Sequence, residues 1–444
     1  MGFDRRFLQG KRLLFLGLLT ITFFVLYTLF PSSSFASWTP SLEIAGSRVR
    51  SGCTPQEWSD GRWVPRTPPT NKTSMTRPED ALEFVGFESC ASSREFFWHL
   101  AADEEPKWDR YPGVASWKWQ PSESCDARAF NAESLVKDMA EQGGWLLIGD
   151  SVTELQFFSI SCLLYPHVRA TPNYTENPYF DRAWPQNLYL APESPLIETL
   201  KLPPGFNITS TPLVTFRRVD LLLSKEELVD LYNELHHPSP DFALFSDERF
   251  WSLSPKDYLE IFQKPLPEGN YGTLVISTAG HWTTTLFRGF RDESKGEDAG
   301  FGIDNMFPFF EAAMKKWADT IQDGLTSDRG TAGGRSRQVV VRAYLPGHED
   351  CHNHRQPWTE WHPFQWKWYN WAWIGDFNKV FQDVLSSPSY PDIHYLAIDR
   401  PGLLRPDGHV AGDCLHIMTG AGVIEGWTHY IWHFVTRELP GRIR

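Results

Sequence analysis

Gly149-Asp150-Ser151 follows a short apolar run at residues 145–148 and opens a stretch of helical periodicity. A serine at such a strand-to-helix turn stands at the carboxyl end of a sheet, where open α/β sheets bind ligands. The first amides of the following helix point to the same place and can stabilise a developing oxyanion. By itself the tripeptide reads first as a helix N-cap, because Asp and Ser are both good caps. Asp413-Cys414-Leu415-His416 lies near the C-terminus. An Asp and a His three apart can share one face of a turn. A serine nucleophile needs a base, and the base needs an orienting acid. Asp407-Gly408-His409 offers a rival pair in the same region, and among 14 histidines a chance neighbour is common. Spacing leaves that choice open.

Two further segments end expected strands. In Ser277-Thr278-Ala279-Gly280-His281-Trp282, glycine lets the backbone approach a substrate closely, and the Gly280 amide is a candidate second oxyanion donor. A plain turn is the competing reading. In Arg342-Ala343-Tyr344-Leu345-Pro346-Gly347-His348, Arg342 and His348 can line the same cleft, although a structural arginine is the simpler account in isolation.

These groups converge only on a suitable scaffold. Leu135, Val136, Met139 and Ala140 share one face of an expected helix at 133–142, which Gly143-Gly144 ends. The strand at 145–148 and a helix running to residue 164 follow. Helix, strand, tight turn and helix begin a doubly wound parallel α/β sheet. Further strands are expected at 272–277, 338–344 and 393–398, with helices at 307–322, 364–385 and 424–437. Residues 291–300 and 323–337 read as surface loops. Residues 47–129 are rich in Pro, Trp and turn formers and read as an irregular N-terminal layer on an α/β core spanning 130–444.

The chain has 444 residues, 41% of them apolar and 22% charged, which is globular composition and excludes a disordered, collagenous or polytopic membrane protein. Its net charge of −13 argues against nucleic acid as a partner. The N-terminus differs from the rest. Arg5, Arg6, Lys11 and Arg12 precede an uncharged apolar run at residues 13–30. As a helix that run is about 27 Å long, enough to span a thin early-secretory membrane. The basic flank predicts a cytosolic tail at residues 1–12, a single-pass signal anchor at 13–30 and a lumenal body, as in a type II protein of the Golgi or another secretory membrane. A cleaved signal peptide is the competing reading. A Pro/Ser-rich stem at 31–46 leads to the body. The sequons at Asn71, Asn173 and Asn207 agree with a lumenal location. So does the even set Cys53, Cys90, Cys125, Cys162, Cys351 and Cys414, which fits three disulfides in an oxidising compartment, with 15 possible connectivities. Lacking C-x-x-C pairs, these cysteines do not suggest zinc.

Taken together and in order, the segments resemble the PC-esterase family, the trichome birefringence-like polysaccharide O-acetyltransferases within the SGNH (GDSL-type) hydrolase fold. The matching residues are Cys53 with Gly61-Arg62-Trp63-Val64; Trp117-Lys118-Trp119-Gln120-Pro121 with Cys125-Asp126 and Phe130; and Gly149-Asp150-Ser151 with Gln156 and Cys162-Leu163-Leu164. Thr278 with Gly280-His281-Trp282 follows, then Arg342 with Pro346 and His348, Arg405-Pro406-Asp407 with His409, and Asp413-Cys414-x-His416. The resemblance implies Ser151 as nucleophile, His416 as base and Asp413 as its orienter, with Asp407 and His409 in support. It implies an oxyanion and substrate site among Gly149, Asp150, Gly280, His281, Trp282, Arg342 and His348. It also implies the disulfides Cys53–Cys125, Cys90–Cys162 and Cys351–Cys414. Two departures stand out: Glu154-Leu155-Gln156 replaces the Arg-Asn-Gln usual in plant members, and Ile417-Met418 replaces Trp-Cys after the triad histidine.

The expectation is a glycan O-acetyltransferase that needs neither metal nor bound cofactor. Its co-substrates would be a glycan acceptor and an acetyl donor of open identity, for which a membrane partner is one candidate source. A carbohydrate acetylesterase with the same triad and an inactive glycan-binding protein are the alternatives. Trp358, Trp361, Trp366, Trp368, Trp371 and Trp373 either stack on sugar rings at the cleft rim or pack in the core.

Overall fold

An apolar stretch that is buried at every position, including its glycines, belongs at the centre of a sheet covered on both faces. Residues 144–149 meet that description. In the computed structural model, which describes residues 52–171, 185–329, 337–364 and 369–439, they form the middle of a seven-stranded sheet. The strands are β1 (Arg62–Pro65), β2 (Trp117–Gln120), β3 (Gly144–Gly149), β4 (Val168–Thr171), β5 (Gln186–Leu190), β6 (Pro212–Arg218), β7 (Tyr271–Ile276), β8 (Gln338–Arg342) and β9 (Ile393–Leu396). The longer helices are α1 (Ala132–Gln142), α2 (Ser151–Leu163), α3 (Lys225–His236), α4 (Pro255–Gln263), α5 (Phe307–Arg329), α6 (Ile374–Leu385) and α7 (Val423–His433).

The sheet order is β4-β5-β6-β3-β7-β8-β9. The five strands from β6 to β9 run parallel, while β5 pairs antiparallel with both β6 and β4. Strand β3 lies between β6 and β7, so the order reverses there. Counted among themselves in chain order, the five parallel strands are arranged 2-1-3-4-5, a doubly wound order whose ligand crevice opens beside the first strand. Helices flank the sheet: α7 packs on α2, and α4, α5 and α6 pack in series. The ends of β3 show why glycine brackets it. A Cβ at Gly144 would sit 2.1 Å from the Leu213 carbonyl oxygen, and one at Gly149 would sit 2.3 Å from Thr153 Oγ1.

Several element boundaries differ from those expected. Helix α5 continues to Arg329, through part of the segment read as a loop, because Ile321, Gln322 and Leu325 keep its buried face going. Helix α6 begins only at Ile374. Before it, Trp371–Trp373 makes one 3-10 turn, and the Asn370 amide is held by the Ala279 and Trp282 carbonyls at 2.9 and 3.1 Å. Strand β8 stops at Arg342, where Asn378 takes over both backbone groups of Tyr344. Strands β4, β5 and β6, on one side of β3, carry no clear sequence pattern and add to the expected set.

The residues before α1 form a layer containing the β1–β2 pair. It is stitched to the core by Trp63 Nε1 donating to the Pro401 carbonyl at 2.9 Å, Tyr430 Oη donating to the Cys53 carbonyl at 2.8 Å, and Arg405 donating to the Val114 carbonyl at 2.7 Å. Disulfides join Cys53–Cys125, Cys90–Cys162 and Cys351–Cys414. Asn71 and Asn207 are exposed. The proposed anchor at 13–30, the stem and Asn173 lie outside the described residues. Among the described residues, no helix is long and apolar enough to cross a membrane.

Gly144→Ala is expected to destabilise the protein by about 1–3 kcal/mol, because its methyl group meets backbone rather than a movable side chain. Urea unfolding of the variant beside the parent checks this.

Candidate active site

Ser151 is the first residue of α2, immediately after β3, and Asp150 caps that helix by accepting from the Val152 amide at 3.0 Å. The capping reading and the nucleophile reading therefore fall on different residues of one turn. Ser151 Oγ lies 2.8 Å from His416 Nε2, and His416 Nδ1 lies 2.7 Å from Asp413 Oδ2. With the Nδ1 proton donated to Asp413, Nε2 is free to accept the serine proton. Asp413 Oδ1 accepts from the Leu415 and His416 amides at 2.9 and 2.8 Å. Burial pushes the Asp413 carboxyl up, but the hydrogen bonds and charge of His416 outweigh it and hold the group below its ordinary value.

The rival pair separates. Arg405 holds Asp407 through both carboxylate oxygens, at 2.9 and 3.0 Å, and both side chains are buried. His409 instead faces His348 Nδ1 through Nε2 at 2.7 Å and the His416 carbonyl through Nδ1 at 3.2 Å. His348 Nε2 lies 2.9 Å from the Leu403 carbonyl. Burial drives the pKa of His348 down to about 4 and that of His409 well below its ordinary value. Asp407 and His409 thus support the loop bearing His416, and neither reaches Ser151.

That loop is held on several sides. Cys414 is disulfide-bonded to Cys351, and its carbonyl accepts from the His348 amide at 2.8 Å. The Val410 amide donates to the His416 carbonyl at 2.9 Å, and the Thr419 amide donates to the His99 carbonyl at 2.8 Å. Arg110 donates to the His409 carbonyl and Lys107 to the Ala411 carbonyl. The last three contacts involve residues of the N-terminal layer.

A cleft of about 710 Å³ opens over the triad. Gly280, His281 and His348 line it, as expected. Gly149, Asp150, Trp282 and Arg342 do not. Trp282 is fully buried, stacked on Phe287 and donating to Thr278 Oγ1 at 3.2 Å. Arg342 is buried behind the strand ends with its guanidinium 3.9 Å from the centre of the Trp427 ring, and burial lowers its pKa to about 10. Its place at the end of β8 is right, but its side chain points into the core. Asp150 accepts from Tyr344 Oη at 2.7 Å, and a Cβ at Gly280 would come within 2.2 Å of that same hydroxyl. What approaches Gly280 closely is therefore a tyrosine.

Arg218, at the end of β6 beside Gly149, lines the cleft and was missed in the sequence. It is 7% exposed, bound through Nε to Asp220 at 2.8 Å, and lies 4.3 Å over Trp251. Its buried Nη1 has no hydrogen-bond partner among the described residues. A cation fixed in the cleft wall suits negative charge developing on a ligand oxygen. The Arg-Val-Asp triplet at 218–220 is the available signal, but only the strand pairing puts it beside the turn that carries Ser151.

Glu154 finds its partner in Arg94, whose Nε lies 3.0 Å from Oε1, and Gln186 donates to the same oxygen at 2.5 Å. A second cavity, about 510 Å³, is lined by Phe97, Trp98, Asp103 and Glu154 and shares Ser151, Asp413 and His416 with the cleft. Cys351, His352 and Cys414 cluster within 4.8 Å, but both cysteines are consumed by the disulfide.

Glu154→Gln is expected to cost on the order of 3 kcal/mol, because it removes the charge opposite a buried guanidinium. Denaturant unfolding measures this, and an Arg94→Met/Glu154→Leu double variant should recover most of the loss. No family model matches the chain, and no curated protein matches it.

Proposed function

We propose that this protein is a glycan O-acetyltransferase working through an acyl-serine intermediate. The observation that carries the reading is the continuous relay from Ser151 Oγ through His416 to Asp413 at 2.8 and 2.7 Å. Further support comes from the motif order described above and from the 2-1-3-4-5 arrangement of the parallel strands, which suits the SGNH-type fold implied by the resemblance.

In the first half-reaction Ser151 Oγ attacks the carbonyl carbon of an acetyl ester, and His416 Nε2 takes the hydroxyl proton. The tetrahedral oxyanion is met by the Ser151 amide at the α2 N-terminus and the Gly280 amide. The carbonyl–oxygen bond to the donor breaks, and His416 returns the proton to the departing oxygen. In the second half-reaction a sugar hydroxyl gives its proton to His416 and attacks the acetyl-serine. The ester bond to Oγ breaks and Oγ regains a proton. Asp413 stabilises the transient imidazolium without taking up its proton. The Arg218 guanidinium adds positive charge to the cleft wall and favours the anionic transition state. The three disulfides support a body that folds in an oxidising compartment. With the apolar segment at 13–30, they support an anchored protein facing the lumen of the Golgi or a related membrane.

The full chain, given a small activated acetyl ester, should gain one acetyl mass on Ser151 by intact mass spectrometry. Ser151→Ala should gain none. Discharge should be faster with a glycan than with water. Discharge to water alone would mark an esterase, and a folded chain that never loads would mark a glycan-binding protein. Asp413→Asn should keep the fold and slow loading by about 10⁴-fold, read from the acetylation rate. Arg218→Gln should load about 10- to 100-fold more slowly, read by the same assay, and should also lower the melting temperature, because buried Asp220 loses its charge partner.

A further inference from the structure

The cleft over Ser151 does not end at its own walls. A neighbouring cavity of about 270 Å³ shares His348, Glu349 and Asp350 with it and extends to Trp358, Trp361 and Phe364. Tyr369 lines the cleft, and Trp361 lines the extension. Among the described residues, these two and Leu235 are the exposed large hydrophobic side chains, with Trp361 at 38% and Tyr369 at 36%. Exposed aromatics gathered along one depression mark a binding surface, whereas scattered ones do not. This aromatic array is already built. The Trp358 amide donates to the Leu404 carbonyl at 2.9 Å, and its ring meets His348 and His354 edge-on at 5.2 Å and His362 at 4.6 Å. Trp361 rests 6.1 Å from Trp358 and 5.3 Å from Phe364. Tyr369 Oη donates to Glu248 Oε1 at 3.4 Å. A preformed surface loses little side-chain freedom on binding.

We propose that the cleft and its extension form one groove for an uncharged glycan chain, with the reacting sugar at Ser151 and further sugars stacked towards Tyr369 and Trp361. This deepens the acyl-transfer reading and rests on it for the identity of the reacting end. Flat aromatic faces suit the C–H faces of sugar rings, and the Glu349 and Asp350 carboxylates between them accept hydrogen bonds from hydroxyls. The same carboxylates repel uronic-acid chains. The cation at the Ser151 end, Arg218, is already paired with Asp220, and burial keeps His354 in the extension from gaining charge easily. The acceptor is thus a neutral oligosaccharide or polysaccharide rather than a single sugar or an acidic polymer.

The test uses the full chain with gluco-, manno- and xylo-oligosaccharide ladders from disaccharide to hexasaccharide, and oligogalacturonates of matched length. Acceptor KM should fall as at least one neutral ladder lengthens and should stay high for the uronates. Trp361→Ala should flatten the length dependence, raising KM for the longer neutral chains roughly three- to tenfold. Disaccharide KM and Ser151 acetylation by the small ester should not move. Trp361→Phe should keep the length dependence. A wild-type KM independent of length in every ladder, a Trp361→Ala protein that keeps its preference for long chains, or uronates accepted as well as neutral chains would overturn the groove. If the ester never loads Ser151, the acyl-transfer reading fails separately. Tryptophan-fluorescence titration of Ser151→Ala with the same ladders, repeated with Trp361→Ala added, then decides the groove by the same length and charge criteria.

Discussion

A histidine on a loop must be kept within hydrogen-bond distance of a serine 265 residues away in sequence, and much of this fold serves that one distance. Ser151 is easy to fix. It sits where a buried strand turns into a helix, and the rigidity of both elements places its hydroxyl. His416 has no such support, because its loop precedes α7 without belonging to a helix or a strand. The loop is therefore secured by side chains, a disulfide and backbone bonds from three separate regions. Asp413 adds the local restraint, since one carboxylate caps two amides of its own turn and also orients the imidazole.

This requirement gives the N-terminal layer its place. The layer includes a two-stranded β-pair and is rich in aromatic and turn-forming residues, and its composition suggests no part in chemistry. Yet Lys107, Arg110 and His99 grip the backbone around His416, and Arg94 neutralises Glu154 one turn into α2. A buried acid beside a site for developing negative charge would be damaging if it were alone. Paired with a buried guanidinium and a glutamine, it becomes part of the wall between the site and the layer. The charge of Glu154 is thus compensated by a residue sixty positions earlier.

Cations near Ser151 follow a similar logic. Arg342 occupies a strand end and yet faces the core, stacked on Trp427. Arg218, from the neighbouring strand on the other side of β3, enters the cleft. A strand end fixes where a residue's backbone lies, but which way its side chain turns depends on what fills the space on either side. Tyr344 makes the point at Gly280, where the missing Cβ leaves room for a phenol that reaches Asp150.

The sequence by itself determined much of the scaffold. Periodicity and glycine punctuation located β3, α1, α2, the strands β7 to β9 and the last helix to within a few residues, because these are buried and strongly patterned. Motif order singled out Ser151, Asp413 and His416, and the six cysteines pair as the resemblance implied. Strands β4 and β5 are illegible because they are only partly buried and carry little pattern, β6 because Thr215, Arg217 and Arg218 interrupt its apolar run although it is buried, and the late start of α6 is hidden because tertiary contacts at Asn370 override the local apolar run. Only the tertiary structure decided between Asp413–His416 and Asp407–His409, exchanged Arg342 for Arg218 in the cleft, and gave Glu154 its partner. Each of these depends on side-chain direction and on contacts between residues far apart in the chain, and local spacing contains neither.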